Sequence, residues 1–194
     1  PAGGVIAGLA TFLVEENPAR ATYVRSKQRA CEKAGIHSRD IRLPEQTSES
    51  ELLSTVSELN GDADIDGILV QLPLPSQIDP QRVIMSIDPA KDVDGFHPVN
   101  LGKLLSGEDA FYPCTPHGIL VMLERSGIAV EGRHVVVVGR SNIVGKPLAA
   151  LLMQKRSGAN ATVTVCHSRT SDLAAHTRRA DILVAAAGQV GFIT

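Results

Sequence analysis

Apolar runs of strand character alternate with helical stretches along most of this chain. Val5 to Val14 reads as a first strand. Asn17-Pro18 then supplies an N-cap with proline at the first helical position, and the helix runs to Gly35. Arg39 to Leu43 is a short extended piece. Ser48 and Glu51 have capping-box spacing ahead of Leu52, Leu53, Val56 and Leu59, and Asn60-Gly61 ends that helix. Gly67 to Leu72 (GILVQL) is a buried strand closed by Pro73 and Pro75, and Asp79-Pro80 starts a short helix to about Ile87. DPAKDVDGFHPVNLGKL has little periodicity and reads as loop. Thr115-Pro116 caps a helix through Arg125, stopped at Gly127. Strand His134 to Val138, helix Val144 to Gln154, strand Thr162 to Cys166, helix Ser171 to Arg179 and strand Asp181 to Ala186 follow in quick succession. Strands and helices in this rhythm predict α/β layers on largely parallel sheets. The domain boundary is expected near Thr115, giving domains 1–115 and 116–194.

Composition narrows the class. With 194 residues, 43% of them hydrophobic, the chain can build one medium domain or two small ones. A formal net charge of -2 and no basic block argue against a nucleic-acid or membrane-surface partner. Aromatic residues at 3% leave no base-stacking platform, and no apolar run approaches a membrane span. Cys31, Cys114 and Cys166 are widely spaced without a C-x-x-C, which disfavours disulfides and zinc and suits a reducing cytoplasm. No metal site is expected.

VVVVGRSNIVGKP, residues 135–147, is a buried strand that opens into a glycine turn. It fits neither standard phosphate template. A Walker loop fails because five residues separate Gly139 from Gly145 and Lys146 is followed by Pro147. The dinucleotide fingerprint fails because Ser141 stands at the second glycine position. What remains is strand, glycine, polar turn, glycine, helix, which still aims backbone N–H groups and a helix dipole at a ligand. Arg140 directly follows the strand. The next strand ends in CHSRT, so Ser168 and Arg169 stand where an acidic residue usually holds an NAD ribose. A hydroxyl and a guanidinium there suit a 2′-phosphate and favour NADP. The plainer alternative is a tight turn with solvated cations.

In the front half, Tyr23 and Lys27 lie four apart on one helix face. Gln71 sits among apolar neighbours and needs a partner, either as a structural amide or in a site. Asp92 and Asp94 lie two apart near a glycine turn; they read as an acid–base or metal pair, or more plainly as an Asp-rich turn. His97, His117 and His167 read as turn or strand-end residues.

Taken together, YVRSKQRACEKAGI, DGILVQLPLP, PAKDVDGFHPVNLGKL, PCTPHGI, VVGRSNIVGKPLA and ADILVAAAGQ resemble the bifunctional methylenetetrahydrofolate dehydrogenase/methenyltetrahydrofolate cyclohydrolase family over essentially the whole chain. The resemblance implies a front folate-binding α/β domain, a rear Rossmann-like NADP domain and a cleft between them. It implies oxidation of 5,10-methylenetetrahydrofolate by hydride transfer to NADP, then hydrolysis of the methenyl product to 10-formyltetrahydrofolate. Lys27 would be the key residue of hydrolysis, Gln71 its hydrogen-bond partner, Tyr23 a stacking surface for the aminobenzoyl group, and Asp94 the pterin anchor. Gly139, Arg140, Ser141, Ile143, Val144, Gly145, Ser168 and Arg169 would form the cofactor site, with Arg140 and Ser168 on the 2′-phosphate and Ser141 and the loop amides near the diphosphate. A cytoplasmic homodimer acting on tetrahydrofolate one-carbon substrates is the implied setting.

Those residue types suit the chemistry. Hydride transfer is a matter of positioning, whereas hydration needs proton movement, for which a partly desolvated lysine is suited. An amide beside it orients the amine without adding charge.

Three features depart from the family's usual pattern. Glu15 replaces a usual glycine, Arg20 replaces a small residue, and Met153 to Asn160 (MQKRSGAN) reads as a surface insertion. The resemblance also implies a helix before residue 1 and a glycine- and proline-rich loop after residue 194. A monofunctional relative, a non-folate NADP oxidoreductase of similar build, and a non-catalytic nucleotide-binding or scaffolding protein are the alternatives. Only a folate enzyme gives Tyr23, Lys27, Gln71 and Asp94 a reason to occur together.

Overall fold

The computed structural model describes residues 6–14, 18–189 and 191–193, with side chains in 6–14, 26–189 and 191–193. The chain divides into two compact units, Pro1–Val93 and Asp94–Thr194.

The first unit runs β1 (Gly8–Val14), α1 (Pro18–Ala34), β2 (His37–Leu43), α2 (Glu49–Gly61), β3 (Gly67–Val70) and α3 (Pro80–Ser86). Its sheet is parallel with order β2-β1-β3. β1 is central, and Ala10, Phe12 and Val14 pack on one face with Leu52, Val56 and Leu59 of α2, Ile68 and Val70 of β3, and Val83 of α3. Ser48 caps α2 as expected: its side chain accepts from the Glu51 N–H at 3.3 Å, and the Glu51 carboxylate accepts from the Ser48 N–H at 2.8 Å. Asp79 caps α3 by accepting from the Gln81 N–H at 2.8 Å, with Pro80 inside the first turn. β3 stops at Val70, so Gln71 lies just past the strand, although its N–H still donates to the Phe12 carbonyl at 3.0 Å.

The second unit runs α4 (Pro98–Ser106), α5 (Cys114–Arg125), β4 (His134–Val138), α6 (Gly145–Leu152), β5 (Thr162–Cys166), α7 (Leu173–Arg178) and β6 (Ile182–Ala185). Its parallel sheet has order β5-β4-β6. The four valines of β4 are buried on both faces. Val135 and Val137 pack with Leu148, Leu151 and Leu152 of α6 and with Leu120 and Leu123 of α5, while Val136 and Val138 meet Cys166, Leu173 and Phe192. A strand covered on both faces reads as a continuous apolar run, which is the composition of VVVV.

Two expectations need correction. The segment read as loop contains α4. His97 caps that helix by accepting from the Val99 N–H at 3.1 Å, Pro98 fills the first position, and Gly107 closes it in the left-handed region at φ 78°. Helix propensity is weak there because Gly102 sits inside it; burial of Leu104 among the apolar side chains of α5 and α6 supports it instead. α5 begins at Cys114 and not at Pro116, with Pro113 as an N-cap that makes no side-chain bond. Pro116 is tolerated in the first turn, where a missing N–H loses no intrahelical partner. Met153 to Asn160 lies at the surface, with Met153, Lys155, Ser157 and Gly158 exposed, and is anchored there: Gln154 Nε2 donates to the Leu104 carbonyl, the Arg156 guanidinium lies 5.2 Å from the Tyr112 ring centroid, and Ala159 is fully buried. By packing, the segment from Asp94 to Thr115 goes with the second unit, because Leu104 is part of that unit's core.

Candidate active site

In open parallel sheets, ligands bind beyond the carboxyl ends of strands, where the strand order reverses about a central strand. Each sheet here has such a centre, β1 in one unit and β4 in the other.

In the first unit, Lys27 projects from α1 and Gln71 follows β3. Both are half-buried, and Lys27 Nζ donates to Gln71 Oε1 at 3.0 Å. Gln71 Nε2 donates to the Leu72 carbonyl at 3.1 Å, which fixes the amide orientation and leaves its oxygen for the lysine. The Leu72–Pro73 peptide is cis. The amide hydrogen bond thus holds the Lys27 side-chain nitrogen at a defined place. Tyr23 lies on the same helix, but its side chain, like those of Glu15 and Arg20, lies outside the described residues.

Asp92 and Asp94 part company. Asp92 is buried and its backbone bridges to Ile68 as an extension of the first sheet. Asp94, half-buried, opens the second unit, where Cys114 Sγ approaches its Oδ1 at 3.8 Å at the start of α5. Among the described residues no cluster of three or more His, Cys, Asp or Glu side chains is arranged to hold a metal ion.

In the second unit the carboxyl ends of β4, β5 and β6 surround a cleft of about 300 Å³. Gly139, Arg140, Ser141 and Ser168 line it together, as their sequence context predicts. The backbone explains the two glycines. Gly139 has φ +135°, and a Cβ there would collide with the Ala186 carbonyl across the cleft; a Cβ at Gly145 would strike the Gly139 carbonyl. Strand end and helix start therefore meet backbone to backbone.

Ser141 is the hinge of this turn. Its Oγ accepts from the Val144 N–H at 3.1 Å and the Gly145 N–H at 3.4 Å, so it satisfies amides at the start of α6. Two loop amides expected near a diphosphate are thereby turned inward. The Ser141 hydroxyl hydrogen remains available for donation. Ile143 is exposed and, like Arg169, does not line the cleft.

The sequence reading missed His167 on the β5 side and Ala186, Ala187 and Gly188 on the β6 side. The register shows why they converge: Val138 pairs with both Cys166 and Ala185, which sets Gly139, His167 and Ala186 level. Small residues just past an apolar strand, as in ADILVAAAG, were the available signal. The cleft's glycine floor, hydroxyls and adjoining arginine match the donor set that a phosphorylated dinucleotide needs.

Residues 2–94 match the tetrahydrofolate dehydrogenase/cyclohydrolase catalytic domain, and residues 113–194 match the NAD(P)-binding domain of the same family. "Bifunctional protein FolD" of Syntrophobacter fumaroxidans is 56% identical over 190 residues, covering 98% of this chain and 64% of that protein. A crystal structure of the bifunctional FolD methylenetetrahydrofolate dehydrogenase/cyclohydrolase from Campylobacter jejuni superposes with TM-score 0.92 at 46% identity, covering 99% of this chain and 67% of the other. The Trypanosoma brucei enzyme, complexed with NADP cofactor and inhibitor, gives TM-score 0.85 at 38% identity over 94% of this chain and 62% of the other. The chain spans 64% of the length of the first two of its curated relatives.

Proposed function

The chain belongs to the tetrahydrofolate dehydrogenase/cyclohydrolase family, and from that premise we propose that the protein oxidises 5,10-methylenetetrahydrofolate with NADP and hydrolyses the methenyl product to 10-formyltetrahydrofolate. The observation that carries this reading is the 3.0 Å bond from Lys27 Nζ to Gln71 Oε1, made across two elements of the first unit. A structural lysine on a helix more commonly points to water or to a carboxylate. This one is held by a neutral amide, which orients it without adding charge.

When bound, NADP supplies the hydride acceptor. This chain's residues do the rest by holding and orienting. Gly139 and Gly145 keep the turn tight enough for close approach, Ser141 presents its hydroxyl, and Arg140 with Ser168 meets the 2′-phosphate. Arg169 contributes charge at the rim. Ile143, Val144 and Gly145 shape the loop. For hydrolysis, Lys27 in its amine form takes a proton from the attacking water and, as the ammonium so formed, delivers it to the departing ring nitrogen, a task typically worth about 10²–10⁴-fold. Gln71 keeps the amine aimed, Asp94 anchors the pterin and Tyr23 stacks on the aminobenzoyl group. Grouping Asp94 with the folate residues sets the functional boundary near Thr115. The reading also makes the protein a cytoplasmic homodimer without nucleic-acid or membrane partners; its near-neutral charge supports this, and no helix among the described residues is long and apolar enough to cross a membrane.

The test follows NADPH and methenyltetrahydrofolate at their separate absorbances in one assay. Lys27→Met is expected to abolish methenyl hydrolysis while NADP-dependent oxidation persists. Unchanged hydrolysis would remove Lys27 from the mechanism.

A further inference from the structure

His167 is the first residue beyond β5, half-buried, and it lines the cleft that Arg140 and Ser168 share. Its hydrogen bonds all build one turn. The backbone N–H donates to Thr170 Oγ1 at 2.8 Å, and the carbonyl accepts from the Thr170 N–H at 2.9 Å. The ring Nδ1 accepts from the Arg169 N–H at 3.1 Å.

A side-chain acceptor bonded to the N–H two residues on is the Asx-turn arrangement that Asn and Asp make with Oδ1. It fixes the backbone of the residue in between, here Ser168. This chain uses the same device at His97, whose Nδ1 accepts from the Val99 N–H at 3.1 Å at the start of α4. In both places a histidine does by Nδ1 what an asparagine does by Oδ1.

We propose that His167 is a positioning residue for 2′-phosphate recognition: its Nδ1 fixes the turn that presents Ser168 to the cofactor cleft. The inference rests on the NADP reading above and adds a residue to it. Removing Nδ1 leaves both Thr170 bonds in place, so β5 still ends in a turn; what is lost is the conformation of Ser168. The opposite wall has its own support, because the Gly139 N–H donates to the Cys166 carbonyl at 2.8 Å and Ser141 holds Val144. The effect should therefore fall on the 2′-phosphate and spare the rest of the adenosine moiety.

The test is calorimetric binding of adenosine 2′,5′-bisphosphate and adenosine 5′-monophosphate to the full chain and three variants. His167→Phe keeps an aromatic ring and removes the acceptor; His167→Asn restores the acceptor without the ring; Arg140→Ala is the reference for loss of 2′-phosphate recognition. His167→Phe is expected to weaken the bisphosphate roughly 3- to 10-fold and the monophosphate less than about twofold, with His167→Asn restoring wild-type preference. Equal losses on both ligands in His167→Phe, or an asparagine variant that fails to restore preference, would overturn the inference. Should the phenylalanine variant not fold, the asparagine variant decides alone by keeping or losing the preference. If Arg140→Ala abolishes the preference and His167→Phe retains it, the inference fails and the NADP reading stands. If the unmodified protein binds both ligands equally, the NADP reading fails and takes the inference with it.

Discussion

The contact between the two glycines of the cofactor turn predicts that one substitution will have opposite signs at two places. Gly145 opens α6, where alanine is by propensity the better residue by at most about 1 kcal/mol. Yet a Cβ there would lie 2.6 Å from the Gly139 carbonyl carbon and 2.9 Å from the Arg140 nitrogen, and nearer still to the Gly139 oxygen. All three are backbone atoms of a turn with little room to yield. Overpacking costs typically 1–3 kcal/mol; with three backbone atoms under 3.0 Å the upper part, about 2–3 kcal/mol, applies, so Gly145→Ala should be destabilising by about 1–2 kcal/mol after a propensity gain of about 1 kcal/mol is subtracted. Gly118, by contrast, is exposed inside α5, and a Cβ added there would meet nothing within 4 Å. There the same change should stabilise by about 0.5–1 kcal/mol. For a chain of 194 residues, roughly 2–4 °C per kcal/mol, the midpoints should move down by about 2–8 °C and up by about 1–4 °C. Thermal and urea unfolding followed by circular dichroism measure both. NADP affinity should fall only in Gly145→Ala, because the new methyl displaces Arg140. A Gly145→Ala protein as stable as Gly118→Ala, with unchanged affinity, would refute the close-approach argument.

Two further outcomes follow from titration and exposure. Hydrogen bonds from the Ser48 backbone and hydroxyl hold the Glu51 carboxyl below its usual range. That stabilisation is therefore full above the ordinary carboxylate range and is lost as pH falls through the lowered folded value. The stability gap between the unmodified protein and Glu51→Gln should accordingly shrink as a denaturation series is taken from neutral to strongly acid pH; a gap that does not change with pH would contradict the capping box. Burial pushes the Cys166 thiol up, and Cys31 is also buried, whereas Cys114 is exposed. Alkylation of the native protein, mapped by mass spectrometry, should label Cys114 first and the other two only on unfolding. Early labelling of Cys166 would contradict its burial with Val136 and Val138.

Much of the architecture could be read from the chain because its signals were local and mutually consistent. Four successive valines fit a strand covered on both faces, Ser48 and Glu51 form the box their spacing predicts, and Gly127 stops α5 at φ +69°. The pairing of Lys27 with Gln71 was legible only through the family resemblance: an apolar run shows that its terminal glutamine needs a partner, but not which side chain supplies it. The far wall of the cleft was not legible, since Ala186 and Gly188 acquire meaning only when strand order sets β6 beside β4. No local pattern encodes that order.

The failure at α4 and the oversight at His167 have one physical cause. Sequence rules treat Ser, Thr, Asn and Asp as the residues that bond back to nearby amides, and treat histidine as a titratable group. In this chain two histidines act as acceptors through Nδ1. His97 and His167 each hold an N–H two residues ahead at 3.1 Å, one starting a helix and the other shaping a turn on the cleft. Ser141 makes the complementary point. The serine that spoils the dinucleotide fingerprint accepts from the amides of Val144 and Gly145, work that falls to a helix cap. The turn keeps glycine where backbone meets backbone, at Gly139 and Gly145, and uses a hydroxyl where a side chain can reach the helix start. A template that counts glycines misses this turn; one that follows each N–H to its acceptor finds it.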